Sequence, residues 1–466
     1  MNVRSVFRGT RGSVYRSVFI KCLVVTISLT MLSGYRPKHE LSVPESVANQ
    51  GVFRTLRNSG FGGLIYPVTS VVPTGKDDDL NSISPFISNR SIVALGESTH
   101  GTSEFYTLRL RLIQYMVTKL NFRVIGLEAN FSNAQSINDY ILGGSGNAKD
   151  AVQKLYGWVY NNQEFVQIVE WLRSYNDSQT ENNKVTFYGF DAQSAEAAAK
   201  RTQVFISDFA PHYLAEFDSL AEPFLNDFQE IASIQPDALV QLMPVKVGDY
   251  QSRWNAIKSY FEANKNELIL RSSIEKYELS MRHWEIVQQT FNSFLVTFDE
   301  AKSNNLRDHY MADNVDWIQQ FERNRKMILM AHVGHVSLHS DFGITPMGKH
   351  LRQRHQDDYY TVGLFTNGGE VRVVNMSASP PVLGELKIDP KPKHALTQAF
   401  AKGKWSQFFL PMSAVNQNSD LKSLFNRPNK FYYIGSTNEK VTIEQNLAAD
   451  YDAIIFIEKT SATRPN

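Results

Sequence analysis

Short apolar runs alternate with longer stretches of helical periodicity along most of the chain. Residues 91–96 form an apolar run that ends in glycine, which is typical of a buried strand. The stretch that follows predicts a helix capped at Thr102 or Ser103, because apolar residues recur at spacings of three and four: Phe105, Leu108, Leu112, Met116 and Leu120. Further strands are predicted at residues 123–127, 184–190, 326–331, 360–365, 371–374, 408–410 and 453–457. This alternation indicates βαβ units, so the predicted fold class is α/β, with a mostly parallel central sheet flanked by helices.

Residues 197–304 have a different character, with long helical stretches and few strand signals. Aromatic residues are dense there, among them Phe205, Trp254, Phe261, Trp284 and Phe291. One interpretation is an ordinary helical core, because aromatic stripes at helical spacing usually pack together. The other is a large helical insertion that covers a cleft and lines an apolar pocket. We expect this insertion to divide a catalytic domain into two parts, residues 91–196 and 305–466, and a proline-broken segment to precede it at residues 35–90.

The first 34 residues carry five positive charges and no acid, followed by an apolar run at residues 22–33. This is the pattern of a secretory signal. The run is shorter than the roughly 20 apolar residues that span a bilayer, so an uncleaved anchor is the alternative interpretation. The chain's single cysteine, Cys22, lies in this leader. We therefore expect export to a bacterial periplasm or the exterior, with membrane contact only through the leader.

The composition restricts the partners and the chemistry. Hydrophobic residues make up 42% of the 466 residues, and 48 Lys and Arg against 47 Asp and Glu leave a net charge of +1. A mostly disordered chain is excluded, and no nucleic-acid partner is expected, because phosphate binding needs a clustered positive excess. A single cysteine excludes an intramolecular disulfide and a cysteine zinc site, so any metal would need His, Asp or Glu ligands.

Four of the predicted strands are followed directly by ionisable residues: Glu97, Glu128, Asp191 and His332. In an open parallel sheet, ligands bind in the crevice beyond the carboxyl ends of the strands. Each residue alone could be a turn or capping residue. Together they predict a functional site at this edge of the sheet.

The local motifs favour hydrolysis by an activated water. Glu97 lies three residues before His100 in a loop flanked by glycines, and a carboxylate beside an imidazole raises its basicity and fixes its tautomer. His332 and His335 form a second histidine pair just beyond a strand. Ser98 is a poor nucleophile because a Gly-x-Ser-x-Gly elbow needs glycine two residues later.

Thiol chemistry is also excluded, since Cys22 lies in the leader. Water activated by a histidine remains, with Glu97 and Glu128 as orienting or proton-relaying carboxylates. An arginine, Arg109 or Arg307, would stabilise developing negative charge.

The combination of motifs resembles the erythromycin esterase family. The resemblance rests on Gly96-Glu97-Ser98-Thr99-His100-Gly101 with Glu104, the strand ending in Glu128, Gly189-Phe190-Asp191, Arg307-Asp308 with Met311 and Asn314, Ala331-His332 with His335, and Met347-Gly348. It implies a hydrolase of carboxylic esters, including a macrolactone, with His100 as the base that activates water. It further implies Glu97, Glu128, Arg109, Arg307, His332 and His335 as catalytic residues and Glu104 and Asp191 as substrate-binding residues, with no cofactor or metal.

One departure from the family concerns the residues between the later histidines. Members usually have asparagine after the first of these histidines, where this chain has Val333 and then Gly334. The histidine spacing is kept, so the departure bears on the substrate more than on the site. We expect a small-molecule ester as substrate.

Two other functions remain open. Glu97, His100, His332 and His335 could instead ligate zinc or manganese in a metallohydrolase. The third possibility is an exported protein that binds or assembles a cell-envelope glycan and has no activity. Retention of the full set of ionisable residues argues against that last alternative.

Overall fold

A nine-stranded mixed sheet forms the centre of the larger part of the molecule. The computed structural model describes residues 45–155, 157–221, 236–296, 299–339, 343–391, 393–439 and 441–466. Within them the strands of this sheet are β1 Tyr66–Pro67, β2 Ile92–Glu97, β3 Val124–Asn130, β4 Thr186–Asp191, β5 Met327–His332, β6 Tyr359–Asn375, β7 Val382–Ile388, β8 Gln407–Pro411 and β11 Ala453–Thr460, while β9 Asn429–Tyr432 and β10 Thr442–Gln445 pair separately. The predicted leader, residues 1–34, lies outside the described residues.

The helices are numbered in chain order. Their bounds are α1 Glu45–Asn58, α2 Asp78–Ile87, α3 Ser103–Leu120, α4 Phe131–Ile141, α5 Ala148–Gln153, α6 Gln163–Asp177, α7 Glu196–Phe209, α8 Pro236–Ala263, α9 Lys265–Arg271, α10 Ile274–Leu295, α11 Glu300–Phe321, α12 Val333–Val336, α13 Met347–His355, α14 Ala395–Ala401, α15 Met412–Val415, α16 Ser419–Phe425 and α17 Leu447–Asp450. No helix in the described ranges is both long and apolar enough to cross a membrane.

The order of strands across the sheet brings the strand ends of the predicted site together. The order is β1-β8-β11-β6-β2-β5-β3-β4, with β7 beside β6. The five neighbouring pairs from β11 to β4 are parallel, and the pairs involving β1, β7 and β8 are antiparallel. In the register of β2 with β5, Glu97 lies opposite His332. The α/β fold class with a mostly parallel sheet is therefore confirmed.

Burial explains why the central strands are continuous apolar runs. Every residue of β2 and of β5 is buried, as expected for parallel strands covered on both faces. The two apolar runs predicted at residues 360–365 and 371–374 belong to one long strand, β6. The proline-broken segment contains two helices, α1 and α2, because apolar side chains such as Val52, Leu56 and Leu80 pack into the core.

The chain divides into two units of unequal size. The described residues from 45 to 192 and from 304 to 466 form the unit that contains the sheet, and those from 193 to 303 form a helical unit. In the helical unit, Trp254 and Trp284 each donate an indole N–H to the other's carbonyl oxygen, at 3.0 and 3.2 Å. Phe205 stacks on Phe261 with 5.7 Å between ring centroids. These rings pack within their own unit, and the coverage of a cleft by this unit stays a prediction.

Candidate active site

The loop after β2 holds a carboxylate and an imidazole in direct contact. Nδ1 of His100 lies 2.8 Å from Oε1 of Glu97, and both residues are buried. A neutral ring that donates its Nδ1–H to a carboxylate has its lone pair on Nε2. Within the described part of the chain, no side chain or backbone group bonds this Nε2. His100 is therefore oriented as a general base.

Two glycines flank this loop for reasons of space. A Cβ on Gly96 would lie 2.3 Å from Cγ2 of Val336, and one on Gly101 would lie 1.9 Å from the carbonyl oxygen of Arg372. Neither glycine has a positive φ. The loop needs glycine because neighbouring segments approach its backbone closely, and not because of a left-handed conformation.

Arg109 holds Glu97 from the other side. Its side chain is 1% exposed, and its Nη1 donates to Oε2 of Glu97. Its Nη2 donates to the carbonyl oxygens of Leu95 and Ala331 at 2.6 and 2.7 Å. Arg109 was predicted as a donor to developing negative charge on the substrate. In the structure both terminal nitrogens are engaged by β2 and β5, and the catalytic role of Arg109 stays a prediction.

Glu128 is the centre of a second charged network. Its Oε2 accepts the backbone N–H of His332 at 2.7 Å, and its Oε1 lies 3.1 Å from Nη2 of Arg307 and 3.2 Å from Nε2 of His335. Burial raises the pKa of the Glu128 carboxyl, but His335, His100 and Arg307 lower it further, so this pKa lies well below its usual range. Glu128 is an ionised anchor for the end of β5.

Arg307 contacts two acids and a histidine, since its Nη1 lies 3.2 Å from Nε2 of His335. Its guanidinium binds Asp191 through Nη2 at 2.6 Å and Nε at 3.0 Å, in addition to Glu128. Burial lowers the pKa of Arg307, but Asp191 and Glu128 raise it above its usual value. Arg307, like Arg109, was predicted to stabilise an oxyanion, and its contacts place it in the framework instead. Asp191, predicted to bind substrate, is the carboxylate that holds Arg307.

His335 lies between the carboxylates of Asp308 and Glu128, and Nη1 of Arg307 lies 3.2 Å from its Nε2. Its Nδ1 lies 2.9 Å from Oδ1 of Asp308, which also accepts the backbone N–H of Met347 at 2.7 Å. Burial lowers its pKa, but Asp308 and Glu128 raise the pKa of His335 to about 10. A charged ring donates from both nitrogens and has no lone pair to accept a proton. The catalytic role predicted for His335 stays a prediction.

His332 has the opposite charge state. Burial and the neighbouring His100 hold the pKa of His332 well below its usual range, so the ring is neutral. Its Nδ1 accepts the backbone N–H of Gly334 at 3.3 Å, which places the ring proton on Nε2. This buried Nε2 has no hydrogen-bond partner among the described residues, and the ring lies 4.9 Å from that of His100. His332 thus has a buried ring N–H beside the base, close to the backbone of Ser98.

Two tyrosines of this site were not predicted from the sequence. Tyr433 packs edge-on against the ring of His332, with 4.3 Å between centroids and 88° between planes. Tyr160 donates its hydroxyl to the carbonyl oxygen of Glu128 at 2.5 Å. Neither residue ends a predicted strand or belongs to a motif, so no sequence signal marks them.

Glu104 lies apart from the two networks. Its carboxylate accepts the backbone N–H and the hydroxyl of Ser461, at 2.7 and 2.6 Å. This contact gives Glu104 a structural partner in place of the predicted substrate. A cavity of about 760 Å³ between α4 and α5, lined by residues such as Asp139, Tyr140 and Lys154, contains none of the predicted site residues.

The carboxylates Glu97 and Asp308 are engaged with neighbouring side chains of the site. Within the described ranges, no group of three or more His, Cys, Asp or Glu residues has the arrangement of a metal site. Glu97 is bound by Arg109 and His100, and His335 by Asp308. The arrangement fits acid–base chemistry between a carboxylate-supported His100 and a neutral His332.

Comparison with known proteins identifies relatives of this chain. The sequence profile described as erythromycin esterase matches residues 117–460. Erythromycin esterase type II of Escherichia coli is 25% identical over 316 residues, which cover 64% of this chain and 74% of that protein. A Bacillus cereus protein of known crystal structure superposes with a TM-score of 0.76 at 23% identity, covering 90% of this chain and 99% of that one.

A second solved structure, of a succinoglycan biosynthesis protein, superposes with a TM-score of 0.75 at 19% identity. It covers 91% of this chain and 100% of that one, and at this identity the likeness concerns the fold alone. The profile match spans most of the chain, from the last turn of α3 to the end of β11. The chain therefore belongs to the erythromycin esterase family.

Proposed function

We propose that this protein is an esterase that cleaves a carboxylic ester with water activated by His100. Family membership supports a hydrolase of the esterase type. The observation that carries the mechanism is the Glu97–His100 pair beside a neutral His332, whose ring lies 4.9 Å from that of His100. One ring has a lone pair and the other an N–H, which fit the general base and the oxyanion donor of ester hydrolysis.

The reaction follows from these two groups. The water oxygen bonds to the ester carbonyl carbon while Nε2 of His100 takes the water proton. Glu97 stabilises the imidazolium that forms. The carbonyl oxygen becomes an oxyanion, which accepts the Nε2–H of His332. When the tetrahedral intermediate breaks its C–O bond, the leaving alkoxide takes the proton from His100, and the products are a carboxylic acid and an alcohol.

The two arginines support this site without contacting the substrate. Arg109 pairs with Glu97 and joins it to β2 and β5. Arg307 connects Asp191 with Glu128, whose other oxygen fixes the backbone of His332. We propose a bulky and fairly apolar ester as substrate, a macrolactone among the candidates.

A hydrolysis screen tests the proposal. Purified wild-type protein and His100→Ala are compared on macrolides, simple aryl esters and esterified glycans, with exposed His339 replaced by alanine as a control. We expect wild type and His339→Ala to hydrolyse the same ester and His100→Ala to lose about 10²–10⁴-fold in turnover. Near-normal turnover in His100→Ala would contradict a mechanism in which His100 is the general base.

The role of His332 has its own test. His332→Phe keeps a ring against Tyr433 but removes the N–H donor, and loss of one oxyanion donor costs about 10²–10³-fold in kcat. A chelator titration of the wild type addresses the metallohydrolase alternative. Inactivation by chelator that zinc reverses would support that alternative, and full activity in chelator would support the histidine mechanism.

Export is a separate proposal that rests on the charge and hydropathy pattern of residues 1–34. Fusing these residues to alkaline phosphatase, which is active only outside the cytoplasm, tests it. The proposal predicts an active fusion, and an inactive one when the five basic residues and the apolar run are replaced. Activity independent of the leader would contradict it.

A further inference from the structure

The segment Ser461–Arg464, which follows β11, lies beside residues 101–103, the residues that come directly after His100. We call these four residues the strap. The carbonyl oxygen of Gly101 accepts the backbone N–H of Thr463 at 3.0 Å, and Ser461 accepts the backbone N–H of Ser103 at 2.9 Å. Thr102 and Ala462 form an antiparallel bridge between these contacts. The strap therefore pairs with residues 101–103 like a short additional strand.

Two carboxylates attach the strap to the helices beneath it. Glu104, in the first turn of α3, accepts the backbone N–H and hydroxyl of Ser461. Glu164, in the first turn of α6, has a side chain that is 0% exposed and accepts the backbone N–H of Arg464 at 3.1 Å and its Nε at 2.9 Å. Glu164 also accepts the hydroxyl of Ser103 at 2.9 Å. A buried carboxylate thus has the strap as its charge partner.

The catalytic loop, residues 97–101, is also held by segments other than the strap. Ser98 and His100 exchange backbone hydrogen bonds with Ile434, at 2.8 and 3.1 Å. Gly101 also receives the backbone N–H of Arg372 at 2.9 Å. The loop thus has two kinds of support: backbone hydrogen bonds from Ile434 and Arg372, and the strap, which charged side chains hold in place. A change at Glu164 therefore loosens the strap and leaves the contacts of Ile434 intact.

We propose that the strap is a positioning element for His100, and that Glu164 is the positioning residue that holds it. The proposal rests on the proposed function, in which Nε2 of His100 must meet the attacking water. Displacement of a reacting group by about 1 Å costs roughly 100-fold in rate, so a loosened strap acts on turnover without any direct contact to substrate. This also accounts for Glu104, whose partner is the strap.

The experiment compares Glu164→Gln with Glu170→Gln, which makes the same change at an exposed position of the same helix. Glu164→Gln keeps the shape of the side chain and removes the charge that Arg464 pairs with. Thr463→Pro is the second variant, since it removes the N–H that binds Gly101. Three quantities are measured well below the unfolding temperature of every variant: deuterium uptake in the peptide containing residues 97–103, the rate at which diethyl pyrocarbonate modifies His100, and kcat and KM on an ester that the wild type cleaves.

In Glu164→Gln and Thr463→Pro we expect faster deuterium uptake in this peptide and modification of His100 about tenfold faster, because the buried ring becomes more accessible. We expect kcat to fall about 10-fold to 100-fold with KM near the wild-type value. Glu170→Gln should match the wild type in all three.

The outcomes separate the two proposals. If no ester is hydrolysed, the proposed function fails, and deuterium uptake and modification of His100 still decide the role of the strap. Uptake and modification at wild-type levels in both strap variants would overturn the proposal. A fall in thermal stability with unchanged kcat would also overturn it, because the strap would then be a structural contact only.

Discussion

Replacement of Arg109 by methionine tests the reasoning about the framework of the site most directly. Methionine has a similar length and no charge, so the change removes one ion pair and two hydrogen bonds without leaving a large void. Glu97 then keeps only His100 as a partner, in a position where its side chain is 1% exposed. The carbonyl oxygens of Leu95 and Ala331 lose the donor that they share.

The expected cost follows from burial. Removing one partner of a buried ion pair typically destabilises a protein by about 3–5 kcal/mol, because the remaining charge is left uncompensated. The total free energy of unfolding of a protein is about 5–15 kcal/mol, so the change removes a large fraction of it. We therefore expect the free energy of unfolding to fall by about 3–5 kcal/mol.

Arg111, two residues away on α3, provides a matched control. Its side chain is also 1% exposed, and it binds Asp79 through two hydrogen bonds and the carbonyl oxygens of Ser70 and Lys76. Urea titrations of Arg109→Met and Arg111→Met should show a similar loss of stability. At a temperature where both variants are folded, only Arg109→Met should lose ester hydrolysis.

A double variant sharpens the comparison. In Glu97→Gln with Arg109→Met the orphaned charge is gone, so its stability should exceed that of Arg109→Met alone by at least about 1 kcal/mol. A loss below about 1 kcal/mol in Arg109→Met would refute the reasoning about the buried pair. Equal activity in the two arginine variants would refute the link between Arg109 and the site.

The remaining predictions concern charge states and close packing. Because the pKa of His335 is raised to about 10, its charged form stabilises the fold fully at pH values below the unfolded pKa of about 6.5. His335→Gln should therefore unfold at a lower free energy than wild type at pH 7, and this difference in the free energy of unfolding should narrow as pH rises toward 10. A difference that does not change with pH would contradict the raised pKa. Burial, with three lysines nearby, lowers the pKa of His394 to about 4, so stability should be lost as pH falls from about 6.5 to 4; His394→Phe should remove part of that acid sensitivity, and identical profiles would count against it. Gly101→Ala should destabilise strongly, because its Cβ would lie 1.9 Å from the carbonyl oxygen of Arg372; Gly384→Ala, where no atom lies within 4 Å, is the control, and equal melting temperatures would contradict the argument.

Local patterns were enough to predict the fold class and the four strand ends. Continuous apolar runs mark β2 to β5, and a parallel sheet brings the ends of such strands to one edge. The structure places Glu97 opposite His332 and Asp191 opposite Asn130 in the strand registers. These contacts follow from the fold class once the strands are located.

The charge states of the histidines and the hydrogen-bond partners of the arginines could not be predicted from the sequence. His332 and His335 are three residues apart on one turn, yet one is neutral and the other charged, since Asp308 reaches only the second. Arg109 lies between core positions of α3, and nothing in the pattern shows that its guanidinium turns inward. Such differences depend on partners far away in the chain.

The supports of the catalytic loop were also missed, for a related reason. Ile434 and Thr463 contribute backbone groups, which every residue type possesses. A backbone hydrogen bond between distant segments therefore leaves no signature in the residue types at either end. The 461–464 segment has no periodicity, and only its contacts reveal its role.

The position of β2 in the middle of the sheet also constrains how the chain is made. Residues 92–97 pair with residues 327–332 and 359–364, so roughly 230 further residues must be synthesised before the first of these neighbours exists. At about 5–20 residues per second, this interval lasts roughly 10–50 s. During it, the growing polypeptide presents an unpaired apolar strand to chaperones and to other nascent chains.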